Sequence, residues 1–391
     1  MRAILLVIDG FGMGALPDAA AYNDEGADTA LHVCERTEDL HWPTLEALGL
    51  GNAAELLGKS LPGCEAVVQP RASFGLLAAM SPGKDSTTGH WELAGIQLQK
   101  PFSTFPPSFP SFPPNLVDEL ERGIGRRMIG NVSASGTDII RDLGDRHLES
   151  GDLILYTSAD SVLQIAAHES VLPPERLYTA CKAARKIADR YNIARVIARP
   201  FSGKSGAYVR TNGRKDFSID LPESSILDAL LEAGTTTIGI GKIGDLFNGQ
   251  GLSENIPVKG NPACLNTLAE IVASEPGRNT FIFVNLVDTD MLYGHRRDVP
   301  GFYRSVANTD TAIASIIDSM ADEDILIISA DHGCDPAYIG TDHTREYVPL
   351  LLYGSGRPGR NLGVRKTFSD CAQSIATYFG IAPILRGKSF L

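Results

Sequence analysis

The sequence predicts an α/β fold with a mainly parallel central sheet, and three observations support it. Short apolar runs recur along the 391 residues: AILLVI from Ala3, LILY from Leu153, FIFVNLV from Phe281, ILIIS from Ile325 and VPLLLY from Val348. They are rich in Val, Ile and Leu without polar alternation, the pattern of strands buried on both faces. Between them lie PPERLYTACKAARKIADRYN, PESSILDALLEAG and NPACLNTLAEIVAS, each with Pro near its start and apolar residues at helical spacing.

Taken in chain order, the first run ends at Asp9. Its six apolar residues are too few for a signal-peptide core or a membrane span, so the protein is expected to stay in the cytoplasm. The segment KPFSTFPPSFPSFPPN, Lys100 to Asn115, breaks the pattern. Its PxxP spacing could make an exposed polyproline ligand. Because Phe102, Phe105, Phe109 and Phe112 interleave with the prolines, packed rings in an ordered crossover into a second domain are the preferred expectation.

Two apparent nucleotide motifs fail on context. Gly239, Gly241 and Gly244 match GxGxxG, but the turn-rich DLFNGQGLSENIP that follows cannot be the helix a pyrophosphate needs. Gly203, Lys204 and Ser205 resemble the end of a Walker loop, yet Ala198 stands where its first Gly belongs.

The later runs end in chemistry. FIFVNLV leads into Asp288 and Asp290, and ILIIS leads into Asp331 and His332, so with Asp9 these acids should converge beyond the carboxyl ends of the strands. A single Asp there would read as a turn or helix cap. Three such ends, with His295, His332 and His343 close by, read as a site. Imidazole and carboxylate without paired thiols is a ligand set for Mn²⁺, Zn²⁺, Fe²⁺ or Mg²⁺, and there are enough ligands for two ions clamping a phosphoryl group. Adjacent residues on a regular strand face opposite ways, so Asp331 and His332 can share a metal only if the backbone turns, which Gly333 permits.

Composition narrows the function. Lys+Arg 35 against Asp+Glu 47 gives a net charge of −12, which leaves no basic face for nucleic acid or an anionic membrane. The six cysteines are scattered, with no CxxC pair, so neither a zinc knuckle nor a disulfide framework is expected.

The combination GKDSTTGHWE from Gly83, YTSADSVLQIAAHE from Tyr156, NLVDTDMLYGHRRD from Asn285, and ADHG followed by GTDHTREYVPLL resembles the phosphopentomutases of the alkaline phosphatase superfamily. The likeness runs from VIDGFG to the last strand. It implies an alkaline-phosphatase-like core, residues 1–100 and 221–391, interrupted by an inserted α/β cap domain, residues 101–220, with the Phe/Pro crossover as its hinge strap. It also implies that Asp9, Asp331 and His332, with the nucleophile hydroxyl, hold one metal, and that Asp290, His295 and His343 hold the other. Asp288 is no ligand in that pattern.

The family nucleophile lies four residues before His90, which is Ser86; the family usually has Thr there, so Thr87 and Thr88 stay open. Cys334 stands where Asn is expected after DHG, either behind the ligands or as a thiolate among them. Substrate contacts would come from Ser158, Asp160, Arg195 and Arg210 on the cap and Lys242 on the core. Arg suits a distal phosphate, and Asp160 can accept from sugar hydroxyls.

The activity this implies is interconversion of α-D-ribose 1-phosphate and ribose 5-phosphate, and of the 2-deoxyribose pair, through a phosphoenzyme and a 1,5-bisphosphate. It would use two divalent cations, Mn²⁺ foremost, and a sugar bisphosphate activator. The competing readings are a cofactor-independent phosphoglycerate mutase, a phosphomonoesterase, and a metal-stabilised sugar-phosphate sensor. TSADSVLQIAAHE and RVIARPF speak against the first two, and the hydroxyl-rich STTGH speaks against a sensor, which needs no nucleophile.

Overall fold

The structure is a computed structural model that describes residues 1–158, 161–274, 277–384 and 386–391. It contains two compact units, one built from Met1–Pro101 and Pro222–Leu391, the other from Phe102–Leu221.

The first unit is built on an eight-stranded sheet in the order Glu254–Ile256, Thr236–Ile240, Thr280–Leu286, Arg2–Ile8, Ile325–Ser329, Val348–Gly354, Ser73–Leu77, Asn361–Arg365. The first five strands are mutually parallel. Val348–Gly354 runs antiparallel to both neighbours, so the VPLLLY run is the one reversed strand of an otherwise parallel sheet. Every residue of Arg2–Ile8 is buried, as expected of a strand covered on both faces. Its one charged member, Arg2, is neutralised at the strand's start by Asp324 at 2.7 Å and donates to the Ile271, Val272 and Ser274 carbonyls. Helices Asn261–Ala273 and Val299–Asp318 pack against each other. After GIGKIG only the single turn Ile243–Leu246 is helical, in keeping with a failed dinucleotide motif.

The second unit holds a mixed sheet: Met128–Ser133, Leu153–Thr157, Val162–His168, Arg195–Ser202 and Val209–Arg210, with Lys215–Ser218 also on Arg195–Ser202. LILY therefore belongs to this smaller sheet, where Leu153–Thr157 runs antiparallel to Val162–His168. One face is covered by Pro114–Ile124 and Pro174–Ala188 over Leu116, Leu120, Leu177 and Cys181; the other carries Ile139, Ile140, Tyr156 and Phe201.

The Phe/Pro segment is ordered, but not all its rings pack. Phe102 and Phe112 are buried, and Phe105 lies 4.5 Å from Phe112 between ring centroids. Phe109 is 74% exposed, contrary to the expectation that all four rings pack. The chain is anchored on either side of it, by Ser103 N to Asn192 O and by Ser111 N and Phe112 N to Asn131, and it bends outward between these anchors.

All six cysteines are free and buried. Among the described residues, no helix is long and apolar enough to cross a membrane.

Candidate active site

Beyond the carboxyl ends of three adjacent parallel strands the acids come together. Asp9 follows Arg2–Ile8, and its carbonyl accepts from Thr289 Oγ1 at 2.6 Å. Asp290 lies in a π-helical turn, Thr289–Gly294, entered directly from Thr280–Leu286. Asp331 and His332 lie past the end of Ile325–Ser329, where the chain has left the strand. Both side chains can therefore reach one point, and Asp331 Oδ2 is 3.3 Å from His332 Nε2. Gly333 is needed there because of crowding rather than turn geometry: a Cβ on it would stand 2.2 Å from Glu346 Oε1 and 2.5 Å from Thr344 Oγ1.

The histidines are aimed by backbone carbonyls. His332 Nδ1 is 3.0 Å from the Gly333 carbonyl, and His295 Nδ1 is 2.7 Å from that of Thr341. A carbonyl only accepts, so each Nδ1 carries the proton and each Nε2 offers a lone pair. His332 Nε2 lies 3.5 Å from Asp9 Oδ1, while His295 Nε2 and His343 Nε2 each lie 3.3 Å from one oxygen of Asp290. The His332 and His343 ring centroids are 4.1 Å apart.

Among the described residues, three side-chain groups have donor atoms within 4.8 Å of one another: Asp9, Asp331 and His332; Asp290, His332 and His343; Asp290, His295 and Cys334. Asp9 Oδ1, Asp290 Oδ1 and Asp331 Oδ2 are buried with no hydrogen-bond partner. Buried carboxylate oxygens are costly to leave unpaired, so this donor set fits divalent cations. Burial, then the charges of Asp331 and Asp290, pushes Asp9 up to about 6. Burial also works to raise Asp290 and Asp331, but their histidine neighbours outweigh it and hold both carboxyls below the usual range.

Asp288 faces elsewhere, accepting from Asn261 N at 2.7 Å. Cys334 is buried, its sulfur 3.9 Å from His295 Nδ1.

Ser86 begins the helix Ser86–Leu93, which Asp85 caps by accepting from Thr88 N. Its Oγ lies 3.2 Å from His332 Nε2. Thr88 Oγ1 instead donates to Asp85 at 2.6 Å, and Thr87 is buried. The helix reaches the acids because residue 89 is glycine: a Cβ there would meet the Asp331 carbonyl at 2.2 Å. The loop before it is pinned by Arg345, which donates to the Ala79, Ser81 and Gly83 carbonyls, and by Glu92, which accepts from Met80 N and Ser81 N.

Lys242 caps the single turn after Thr236–Ile240, near enough that its charge lowers the Asp9 carboxyl. Among the second-unit residues, Arg210 is exposed, Ser158 is half-buried, and Arg195 lies 3.7 Å from Asp216. Asp160 lies outside the described residues.

Asn285 and His90 also contact the site, and the sequence assigns neither a role. Asn285 had left a signal: it is the one polar residue within FIFVNLV, and it is fully buried.

The metalloenzyme superfamily model matches residues 1–383. Phosphopentomutase of Caldanaerobacter subterraneus subsp. tengcongensis is 47% identical over 100% of this chain and 97% of its own length. Phosphopentomutase of Acetivibrio thermocellus is 46% identical over 100% of this chain and 98% of its own. Among solved structures, phosphoglycerate mutase of Leishmania mexicana covers 99% of this chain and 97% of that chain, with a TM-score of 0.44 and 13% identity.

Proposed function

The chain belongs to the metalloenzyme superfamily and, within it, to the phosphopentomutases, and from that membership we propose that it interconverts α-D-ribose 1-phosphate and ribose 5-phosphate, and the 2-deoxyribose pair. Membership makes it a metal-dependent isomerase of pentose phosphates with an alkaline-phosphatase-like core. The substrate pair, the route and the residue roles are the proposal.

In this reading Asp9, Asp331 and His332, with the Ser86 hydroxyl, would hold one divalent ion, and Asp290, His295 and His343 the other, with Mn²⁺ as the expected metal. Bound there, the ions would favour the Ser86 alkoxide and offset the charge on the transferring phosphoryl group. Phosphorylated Ser86 gives its phosphoryl group to the C1 hydroxyl of ribose 5-phosphate. The P–Oγ bond breaks, a P–O1 bond forms, and the hydroxyl proton ends on Oγ. The 1,5-bisphosphate then presents its other end: Ser86 Oγ takes the 5-phosphoryl group, the P–O5 bond breaks, and O5 receives the proton. Ribose 1-phosphate leaves and the phosphoenzyme is restored. Ser86 at the start of a helix places its phosphate where backbone N–H groups and the helix dipole favour negative charge.

Ser158, Asp160, Arg195 and Arg210 of the inserted segment, and Lys242, are proposed as substrate contacts, with a sugar bisphosphate priming Ser86. Localisation in the cytoplasm belongs to the same reading, as does having no nucleic-acid or membrane partner, which the net charge of −12 supports.

The observation that carries the proposal is the Ser86 hydroxyl 3.2 Å from His332 Nε2, a nitrogen that also approaches the unpartnered oxygens of Asp9 and Asp331. A coupled assay on ribose 1-phosphate and ribose 5-phosphate with Mn²⁺, with and without a sugar 1,6-bisphosphate, tests it. Turnover in both directions, stimulated by the bisphosphate, is expected; release of inorganic phosphate without isomerisation would overturn it.

A further inference from the structure

A buried chain of hydrogen bonds joins the acid cluster to the helix that carries Ser86. Asn285 ends the apolar part of Thr280–Leu286, beside the strand that delivers Asp9, and its register partner there is Val7. Its Nδ2 lies 2.8 Å from Asp9 Oδ2 and 3.1 Å from His90 Nε2. His90 Nδ1 lies 2.9 Å from the Ser86 carbonyl oxygen and 3.1 Å from Asp331 Oδ2. The imidazole is held flat over Phe283, with ring centroids 5.7 Å apart and an interplanar angle of 28°. Asn285 and His90 are both fully buried.

The protons in this chain can be assigned one by one. An amide nitrogen has two hydrogens and no lone pair to give, so it must donate both to the Asp9 carboxylate and to His90 Nε2. His90 therefore accepts at Nε2 and carries its proton on Nδ1, where the Ser86 carbonyl can only accept. Every donation runs one way, from Asn285 to Asp9 and, through the imidazole, to the Ser86 carbonyl, with Asp331 Oδ2 beside the same Nδ1 proton at 3.1 Å.

The chain has two consequences for the site. Oδ2 of Asp9 is occupied by Asn285, and Oδ1, unpartnered and 3.5 Å from His332 Nε2, is the oxygen left to face the cluster. The Ser86 carbonyl, in the first turn of its helix, is tied through His90 to the same amide, so one side chain supports both the Asp9 carboxylate and the backbone that carries the hydroxyl. Groups that orient ligands in this way commonly contribute tenfold or more to metal affinity or rate.

We infer that Asn285 and His90 are positioning residues of the transfer reaction: Asn285 selects the oxygen that Asp9 presents, and His90 fixes the helix turn that presents Ser86. This rests on the reading of Asp9 as a metal ligand and Ser86 as the nucleophile.

The test uses the full-length, Mn²⁺-loaded protein and measures Mn²⁺ affinity by calorimetry, kcat and KM for ribose 5-phosphate, and Tm. Asn285→Leu keeps the side-chain volume in an apolar strand and removes both donors. It should weaken Mn²⁺ binding by about 10–100-fold and lower kcat by at least about tenfold, with KM within about twofold. Unchanged Mn²⁺ affinity and kcat in this variant would overturn the role of Asn285. His90→Asn retains an amide donor near the position of Nδ1, so it should recover most of the kcat lost in His90→Ala. If the two His90 variants fold and are equally impaired, the link to Ser86 is overturned. Asp9→Asn separates this inference from its premise. Wild-type Mn²⁺ affinity in Asp9→Asn would remove the premise, whereas loss of Mn²⁺ there with wild-type behaviour in Asn285→Leu would reject the positioning role alone.

Discussion

Ser86 Oγ lies 3.2 Å from His332 Nε2, whereas the hydroxyl of Thr88, two residues on, is held by Asp85 at 2.6 Å. Ser86 thus meets the acid and histidine cluster directly, while the Thr88 hydroxyl is engaged by its helix cap. Ser86→Ala should keep its bound metal and lose mutase turnover on the order of 10⁴-fold or more, as expected when a nucleophile is removed. Ser86→Thr keeps a hydroxyl on the same carbon and should stay active. Turnover by Ser86→Ala near the wild-type rate would mean that another group carries the chemistry.

His343 and His295 each approach one oxygen of Asp290 at 3.3 Å, so removing His343 takes a nitrogen donor from a site still ringed by carboxylates. His343→Ala should reduce bound metal, read by elemental analysis against protein concentration, together with turnover. The same metal content as wild type would remove His343 from the ligand set.

Metal affinity should depend on pH through Asp9, whose carboxyl burial and the neighbouring acids raise from 3.8 to about 6. A raised carboxyl means that the metal-free fold prefers it protonated. Its contribution to metal-free stability is complete below 3.8 and is lost as pH rises through about 6. A ligand must be deprotonated, so Mn²⁺ affinity should climb with pH through that point, and go on climbing until His295, whose pKa the Asp290 carboxylate raises against the effect of burial, has lost its proton. Calorimetry across this range, in two buffers of different ionisation enthalpy, would also show proton release at low pH. A flat profile would contradict the assignment.

Arg210 is exposed and has a planar donor fork suited to phosphate. Arg210→Ala should lower kcat/KM for ribose 5-phosphate by about 10–100-fold, the scale of a lost charge-assisted contact, with Tm unchanged. Wild-type kinetics would exclude it as a substrate residue.

What could be read from the sequence divides along physical lines. The gathering of Asp9, Asp290, Asp331 and His332 was legible because buried parallel strands are continuous apolar runs, and the residues after such a run lie at the sheet's carboxyl edge; Asp288 shares that pattern, and only the family resemblance set it apart. The choice of Ser86 over Thr87 and Thr88 was not a matter of local chemistry. It came from the family resemblance, and in the structure Ser86 Oγ meets a histidine 246 residues away. The bond between Asn285 and His90 spans 195 residues and goes with the close approach of the helix to the Asp331 backbone that Gly89 permits, a packing event that no local pattern encodes. Phe109 was misread for a related reason: its apolar ring suggested burial, but the chain is pinned only on either side of it.

The most direct test of the account asks where the phosphoryl group rides. The Mn²⁺-loaded protein is incubated with a sugar 1,6-bisphosphate, quenched, digested and sequenced by mass spectrometry across Gly83–Leu93. A single phosphate on Ser86 is expected, lost when ribose 5-phosphate is added. Phosphate on Thr87 or Thr88 with Ser86 unmodified, or no modified peptide in a preparation that turns over, would contradict it.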